Sequence, residues 1–323
     1  MRNASGARIA DYLIDGEVAS RSTEVAYRTT HRVLPRCARV AILSPAFVGV
    51  RLAEVQLMRE ACILEALHHT GVPRAFECGL LDRRPWIATE YIEGTSIEQA
   101  AAERPLSVSD ALAVIRDAAA ILAHAHQRGV VHRNITPKAI VRTPARGFPL
   151  CITDWGDASI HDSVIPHVVD PDARFYRAPE LVADGRADGR ADVFALGAVV
   201  FEAATLVLPD PVQRFPGMPG SFHALLETML AQVPTERPTA AAVHAEASRL
   251  AEVYSEGDAT IEEVEVELVD ISRSAPPMPR LGWMPPAGMA SLHQARGLGT
   301  QRRGTKEQGA GRARSALPSE PGK

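Results

Sequence analysis

The residues with the most chemistry to offer lie close together near the middle of the chain. Between the apolar pairs Val130-Val131 and Ile140-Val141 runs His132-Arg133-Asn134-Ile135-Thr136-Pro137-Lys138-Ala139. A second apolar run, Leu150-Cys151-Ile152-Thr153, ends in Asp154-Trp155-Gly156. This pattern reads as a buried strand, a polar loop, another strand and a tight turn that presents a carboxylate. Carboxylates in general are oxygen ligands for hard divalent cations. The amide of Asn134, by contrast, cannot accept a proton as a carboxylate does.

The elements that must position these residues are legible on either side. Residues 107–128 carry the strongest helical pattern: Ser107 or Ser109 can cap it, Ile115, Ala119, Leu122 and Ala125 recur at three-four spacing, and Gly129 can end it. Short strands are predicted at Tyr12-Leu13-Ile14, at Glu24 to Arg28 and at Arg39 to Leu43, then at Ala75 to Cys78 and Trp86 to Tyr91. Between these two groups, Leu52, Val55, Leu57, Ala61, Leu64 and Leu67 recur so as to share one helical face within residues 52–68. Asp192 opens a second apolar helix running through Leu206, and the proline-rich stretch 207–221 shows little helical pattern.

Composition narrows the partners. A hydrophobic fraction of 46% with 23% charged residues is that of a globular protein with a proper core. The net charge of −4 favours neither nucleic acid nor an anionic membrane surface as a bulk partner. No apolar run approaches the roughly 18 residues that span a bilayer. The four cysteines, Cys37, Cys62, Cys78 and Cys151, are scattered, which predicts reduced thiols in a cytoplasmic protein. Residues 252–270 hold eight acids and no base, with a short strand-like alternation, the chain after Ile271 is rich in Pro, Gly and Arg, and the tail 256–323 reads as disordered.

In order and spacing, the segments from residue 10 to 255 resemble the protein kinase family, and within it the bacterial Ser/Thr kinase domains. His132, Arg133 and Pro137 match the family's catalytic loop, Asp154-Trp155-Gly156 its Asp-Phe-Gly turn, and Ala178-Pro179-Glu180 its Ala-Pro-Glu. The resemblance implies an α+β, two-lobed fold: a small β-rich N-lobe at about 10–88, a hinge at 89–94 and a larger helical C-lobe at 95–255. An N-terminal extension, 1–9, and the tail, 256–323, flank it. It also implies roles. Glu60 in Arg59-Glu60-Ala61 takes the place of the ion-pairing glutamate, Thr89 that of the gatekeeper and Tyr91 a hinge position. Val25, Ala41 and Val141 match the adenine walls, and Leu64, His132 and Trp155 match an internal spine. Asp192 corresponds to the residue that bonds the catalytic-loop backbone, and Arg237 to the arginine that pairs with Glu180.

Against that frame the chemistry is depleted. Asn134 replaces the catalytic Asp, Thr136 the Lys and Ala139 the metal-binding Asn. Leu43 stands in the ATP-lysine position of Val40-Ala41-Ile42-Leu43, and no lysine precedes Lys138, so only an arginine such as Arg21 or Arg39 could substitute. Val18, Ser20 and Thr23 replace the phosphate-loop glycines, and Ala173 a threonine before Ala-Pro-Glu. Together these changes predict a pseudokinase acting on protein partners such as another kinase, with weak ATP binding and magnesium held by Asp154 alone. The alternatives are a low-activity Ser/Thr kinase using ATP and Asp154-bound magnesium, or transfer of another group from the same cleft.

Overall fold

The computed structural model describes residues 6–20, 23–160, 173–183, 185, 188–209 and 218–257. It divides into two compact units, Met1–Glu262 and Glu263–Lys323, and every described residue belongs to the first. Residues 252–257 of the acidic segment end a helix, Ala240–Gly257, rather than opening the tail, and residues 258–323 lie outside the described residues.

The first part of that unit is an antiparallel sheet. Its strands are β1 (Arg8–Ile9), β2 (Tyr12–Ser20), β3 (Glu24–His31), β4 (Cys37–Leu43), β5 (Ala75–Leu81) and β6 (Arg84–Glu90), in the spatial order β1-β2-β3-β4-β6-β5. The first strand begins before residue 10, inside the stretch expected as an extension. Side chains alternate across a strand, and directly paired residues share a face. Ala38, Val40, Ile42, Trp86 and Ala88 join Ile9, Tyr12 and Ile14 in one apolar cluster. On the other face, Ala26, Ala41, Leu43 and Ile87 join the main core with helix α1 (Arg51–Ala66). Strand β4 is thus covered on both sides, which is why it reads as a nearly continuous apolar run.

Helix α1 buries a different stripe from the one its spacing suggests. Ala53, Leu57, Glu60, Ile63 and Leu64 are buried, while Leu52 and Val55 are exposed. The helix is turned so that a carboxylate faces inward, which costs free energy unless a cation meets it there.

The second part is helical: α2 (Ile97–Glu103), α3 (Val108–Gln127), α4 (Pro179–Ala183), α5 (Gly189–Thr205), α6 (Gly220–Met229) and α7 (Ala240–Gly257). Ser107 caps α3, its hydroxyl accepting the Asp110 N–H at 3.1 Å, and Gly129 at φ 73° ends it, a left-handed conformation that costs glycine little. Helix α3 packs against both α5 and α7, with Ala111, Leu112, Ile115, Ala118, Ala119 and Leu122 wholly buried. Short strands carry the loops of interest: β7 (Thr95–Ser96), β9 (Ile140–Arg142) and β10 (Leu150–Ile152) form one small sheet, and β8 (Val130–Val131) pairs with β11 (Ser159–Ile160). The two parts meet at residues 91–94, where only glycine passes. A Cβ on Gly94 would lie 2.0 Å from the Arg142 carbonyl oxygen. Of the proline-rich stretch, residues 210–217 lie outside the described residues and α6 begins at Gly220.

Candidate functional site

The loop of residues 132–139 hangs from one buried carboxylate. Asp192, in the first turn of α5, accepts the backbone N–H of His132 at 2.8 Å and of Arg133 at 2.7 Å, and its Oδ2 lies 2.8 Å from His126 Nε2. Burial alone would push this carboxyl up. The His126 hydrogen bond and charge and the Arg133 N–H outweigh burial and hold it below the usual carboxylate range. His126 is a partner of Asp192 that the sequence did not suggest.

The loop's interior is equally committed. His132 Nε2 lies 2.9 Å from the Thr153 carbonyl and Nδ1 accepts the Asn134 N–H at 3.3 Å, the pattern of a neutral ring protonated on Nε2. Complete burial pushes its pKa down, in agreement. Trp155 packs edge-on against His132 with ring centroids 4.5 Å apart and gives its indole N–H to the Ile152 carbonyl at 2.8 Å. Arg133 is held at φ 68°, and its guanidinium donates to the Gly185 carbonyl at 2.7 Å. The chain then reverses at Asp154, φ 66°, before Trp155 and Gly156. Residue 56 on α1 reaches the same turn, Gln56 donating to Asp157 Oδ1 at 2.7 Å.

The replaced residues serve architecture. The Thr136 hydroxyl accepts the Ala139 N–H at 3.3 Å, so it closes the loop's own turn. Ala139 is wholly buried, and its carbonyl accepts both the N–H of Thr153 at 2.8 Å and its hydroxyl at 3.2 Å. A methyl group therefore stands where a second metal ligand would be required. Asn134 is buried as well.

The sheet roofs the cleft with a cation from Arg39, one of the two arginines named as substitutes; the other, Arg21, lies outside the described residues. Leu43 is buried in the main apolar core. On the same face, four residues earlier, Arg39 Nη2 lies 3.1 Å from Glu24 Oε1 and Nη1 lies 3.8 Å from Glu60 Oε1. Arg39 pairs in register with Thr89, and Ala41 pairs with Ala26 and Ile87. Val25 pairs with Ile42, which belongs to the cluster on the far face of the sheet. Val25 is thus turned away from the cleft, and Ala26 takes the place expected for it. Of the other expected wall residues, Ala41 is buried in the roof and Val141 is half-buried in β9. Tyr91 lies under Arg28, whose guanidinium is 5.1 Å from the ring centroid and 3.6 Å from Glu93 Oε1. Among the sites of the missing phosphate-loop glycines, Val18 is exposed.

The donor set does not fit a nucleotide with two magnesium ions. Asp154 supplies one carboxylate, Ala139 no oxygen and Asn134 an amide. Among the described residues no group of three or more His, Cys, Asp or Glu could hold a metal.

Farther from the cleft, Glu180 and Arg237 form a bidentate pair at 2.7 and 2.9 Å. The remaining Arg237 N–H groups reach the carbonyls of Ala231, Arg190 and Gln232, and its guanidinium lies 4.8 Å from the Phe194 ring centroid.

Comparison with known proteins agrees with this geometry. The protein kinase domain family model matches residues 50–247. The serine/threonine-protein kinase PknJ of Mycobacterium tuberculosis is 27% identical over 273 residues, covering 77% of this chain and 46% of that protein. PknI of the same organism is 30% identical over 201 residues, covering 61% of this chain and 32% of PknI. The chain thus spans less than half the length of either relative. The crystal structure of the M. tuberculosis PknI kinase domain superposes with a TM-score of 0.60 at 26% identity, covering 78% of this chain and 99% of that domain.

Proposed function

Since the chain belongs to the protein kinase domain family, we propose that it is a Ser/Thr-kinase-like pseudokinase, a cytoplasmic regulator or scaffold that engages protein partners and holds ATP weakly. One observation carries this reading. The loop that performs the chemistry in this family is kept in place by Asp192 while Asn134, Thr136 and Ala139 fill its reactive positions. Phosphoryl transfer depends on positioning, on metal and lysine charge and on a base near the acceptor. Losing the base alone typically costs ~10²–10⁴ in rate. Losses within one catalytic unit are not additive, yet here they fall on base, metal ligand and cation together. The surviving frame is a rigid surface suited to binding another protein.

The test is transfer of labelled γ-phosphate from ATP to the protein itself or to a generic basic protein. Asp154→Asn serves as the control, because Asn tolerates the left-handed backbone at this position. Transfer indistinguishable from that control is expected. Asp154-dependent turnover of ~1 s⁻¹ or more, ordinary for a kinase, would overturn the reading. A second reading, a slow ATP-dependent Ser/Thr phosphotransferase with magnesium on Asp154, draws support from the cation that Arg39 brings to Glu60. Weak but Asp154-dependent transfer would favour it.

A further inference from the structure

We infer that Arg39 has taken over one half of the missing lysine's work: it latches helix α1 to the sheet through Glu60 and Glu24, and it does so without nucleotide. The inference deepens the pseudokinase reading and rests on it, since it assigns the roof of the cleft a structural task in place of a phosphate-binding one.

Three elements meet at this guanidinium. Arg39 comes from β4, Glu24 from β3 and Glu60 from the inward face of α1, at 3.1 and 3.8 Å. The side chains are 17%, 10% and 6% exposed, so the three charges are shielded from water and depend on one another. A planar guanidinium can serve two carboxylates at once, which a lysine ammonium at the end of a flexible stem does less well. The burial of Glu60, which the apolar spacing of α1 does not explain, follows from this contact. The guanidinium is engaged by carboxylates from two elements, where the family's lysine faces phosphate. Gln56 and Asp157 give α1 its second polar tie, at 2.7 Å. The helix is therefore seated by groups that the chain itself supplies.

Hydrogen exchange of residues 51–66 tests this directly, with α7 as an internal reference. In the parent protein, adding ATP and Mg²⁺ should leave α1 exchange unchanged. Arg39→Met should speed it by about tenfold, a local opening that leaves α7 protected, while Arg39→Lys should fall between the two. Glu60→Gln, which keeps the shape of the side chain, should speed exchange as well and covers the case in which Arg39→Met fails to fold. Unchanged α1 exchange in Arg39→Met or, if that variant does not fold, in Glu60→Gln would overturn the latch. A slowing by ATP in the parent that vanishes in Arg39→Met would also overturn it and make Arg39 a phosphate ligand. Labelled-phosphate transfer by the parent, with α1 exchange still dependent on Arg39 and indifferent to ATP, would sink the pseudokinase reading and leave the latch standing.

Discussion

Arg39 and Leu43 stand on the same face of one strand with their chemistry exchanged: the leucine occupies the position where the family places a cation, and the cation sits four residues upstream, 3.8 Å from Glu60. Four residues along a strand span about 13 Å. The other partner of Arg39, Glu24, pairs in register with Leu43, so the guanidinium reaches along the strand toward that position. There it is engaged by two carboxylates rather than by phosphate.

Nucleotide binding should accordingly be weak and nearly indifferent to magnesium. Thermal-shift titration with ATP, with and without Mg²⁺, is expected to give small and similar shifts. A submicromolar dissociation constant, about −8 kcal/mol or tighter, that appeared only with Mg²⁺ would refute this.

Restoring the family's residues should not restore a kinase. Leu43→Lys would bury an ammonium in an apolar cluster close to Arg39. Ala139→Asn would force a larger side chain into a wholly buried position, and overpacking typically costs ~1–3 kcal/mol. The triple variant Leu43→Lys, Asn134→Asp, Ala139→Asn is expected to melt below the parent and to show at most trace autophosphorylation. Turnover of ~1–100 s⁻¹ on a basic protein would mean that the site was only lightly disabled.

The Glu180–Arg237 pair should be architectural. Arg237 is fully buried and gives its N–H groups to the carboxylate and three carbonyls. Removing one side of a buried pair leaves the other uncompensated and costs ~3–5 kcal/mol. Arg237→Ala should lower the melting temperature clearly, whereas Asp154→Asn should move it little. Asp154→Ala is the poorer comparison, because an alanine held at φ 66° adds a strain of ~1–2 kcal/mol of its own. Equal melting temperatures for Arg237→Ala and the parent would refute the assignment.

Acid should destabilise the fold through its histidines. Burial lowers the pKa of His132, and burial reinforced by Arg128 lowers those of His69 and His124. The folded state thus resists protons that the unfolded chain accepts near the ordinary histidine value of about 6.5. The stability that these groups contribute is complete above that value and is lost as the pH falls below it. Asp192 loses its contribution only at far lower pH, below the ordinary carboxylate range. Melting temperature should therefore fall between about pH 7.5 and 5.5, and His69→Gln should flatten part of the slope. A melting temperature that held or rose on acidification would contradict this.

The sequence by itself determined what the site lacks. Asn134, Thr136, Ala139 and Leu43 are readable from their spacing to His132, Asp154 and Val40, and the absence of lysine before Lys138 needs no structure at all. It also determined where α3 starts and stops, since the Ser107 cap and the terminating Gly129 act on their immediate neighbours. Only the tertiary structure decided which side chains face the cleft. A one-residue change of register turns a strand over, and the hairpin between β3 and β4 sets Val25 against Ile42 and so turns it outward. Glu60 faces inward because Arg39, far off in sequence and held by Glu24, meets it there. His126 joins Asp192 across 66 positions for the same reason. Contacts of this kind are set by packing between elements, where neither local propensity nor spacing along one segment can register them.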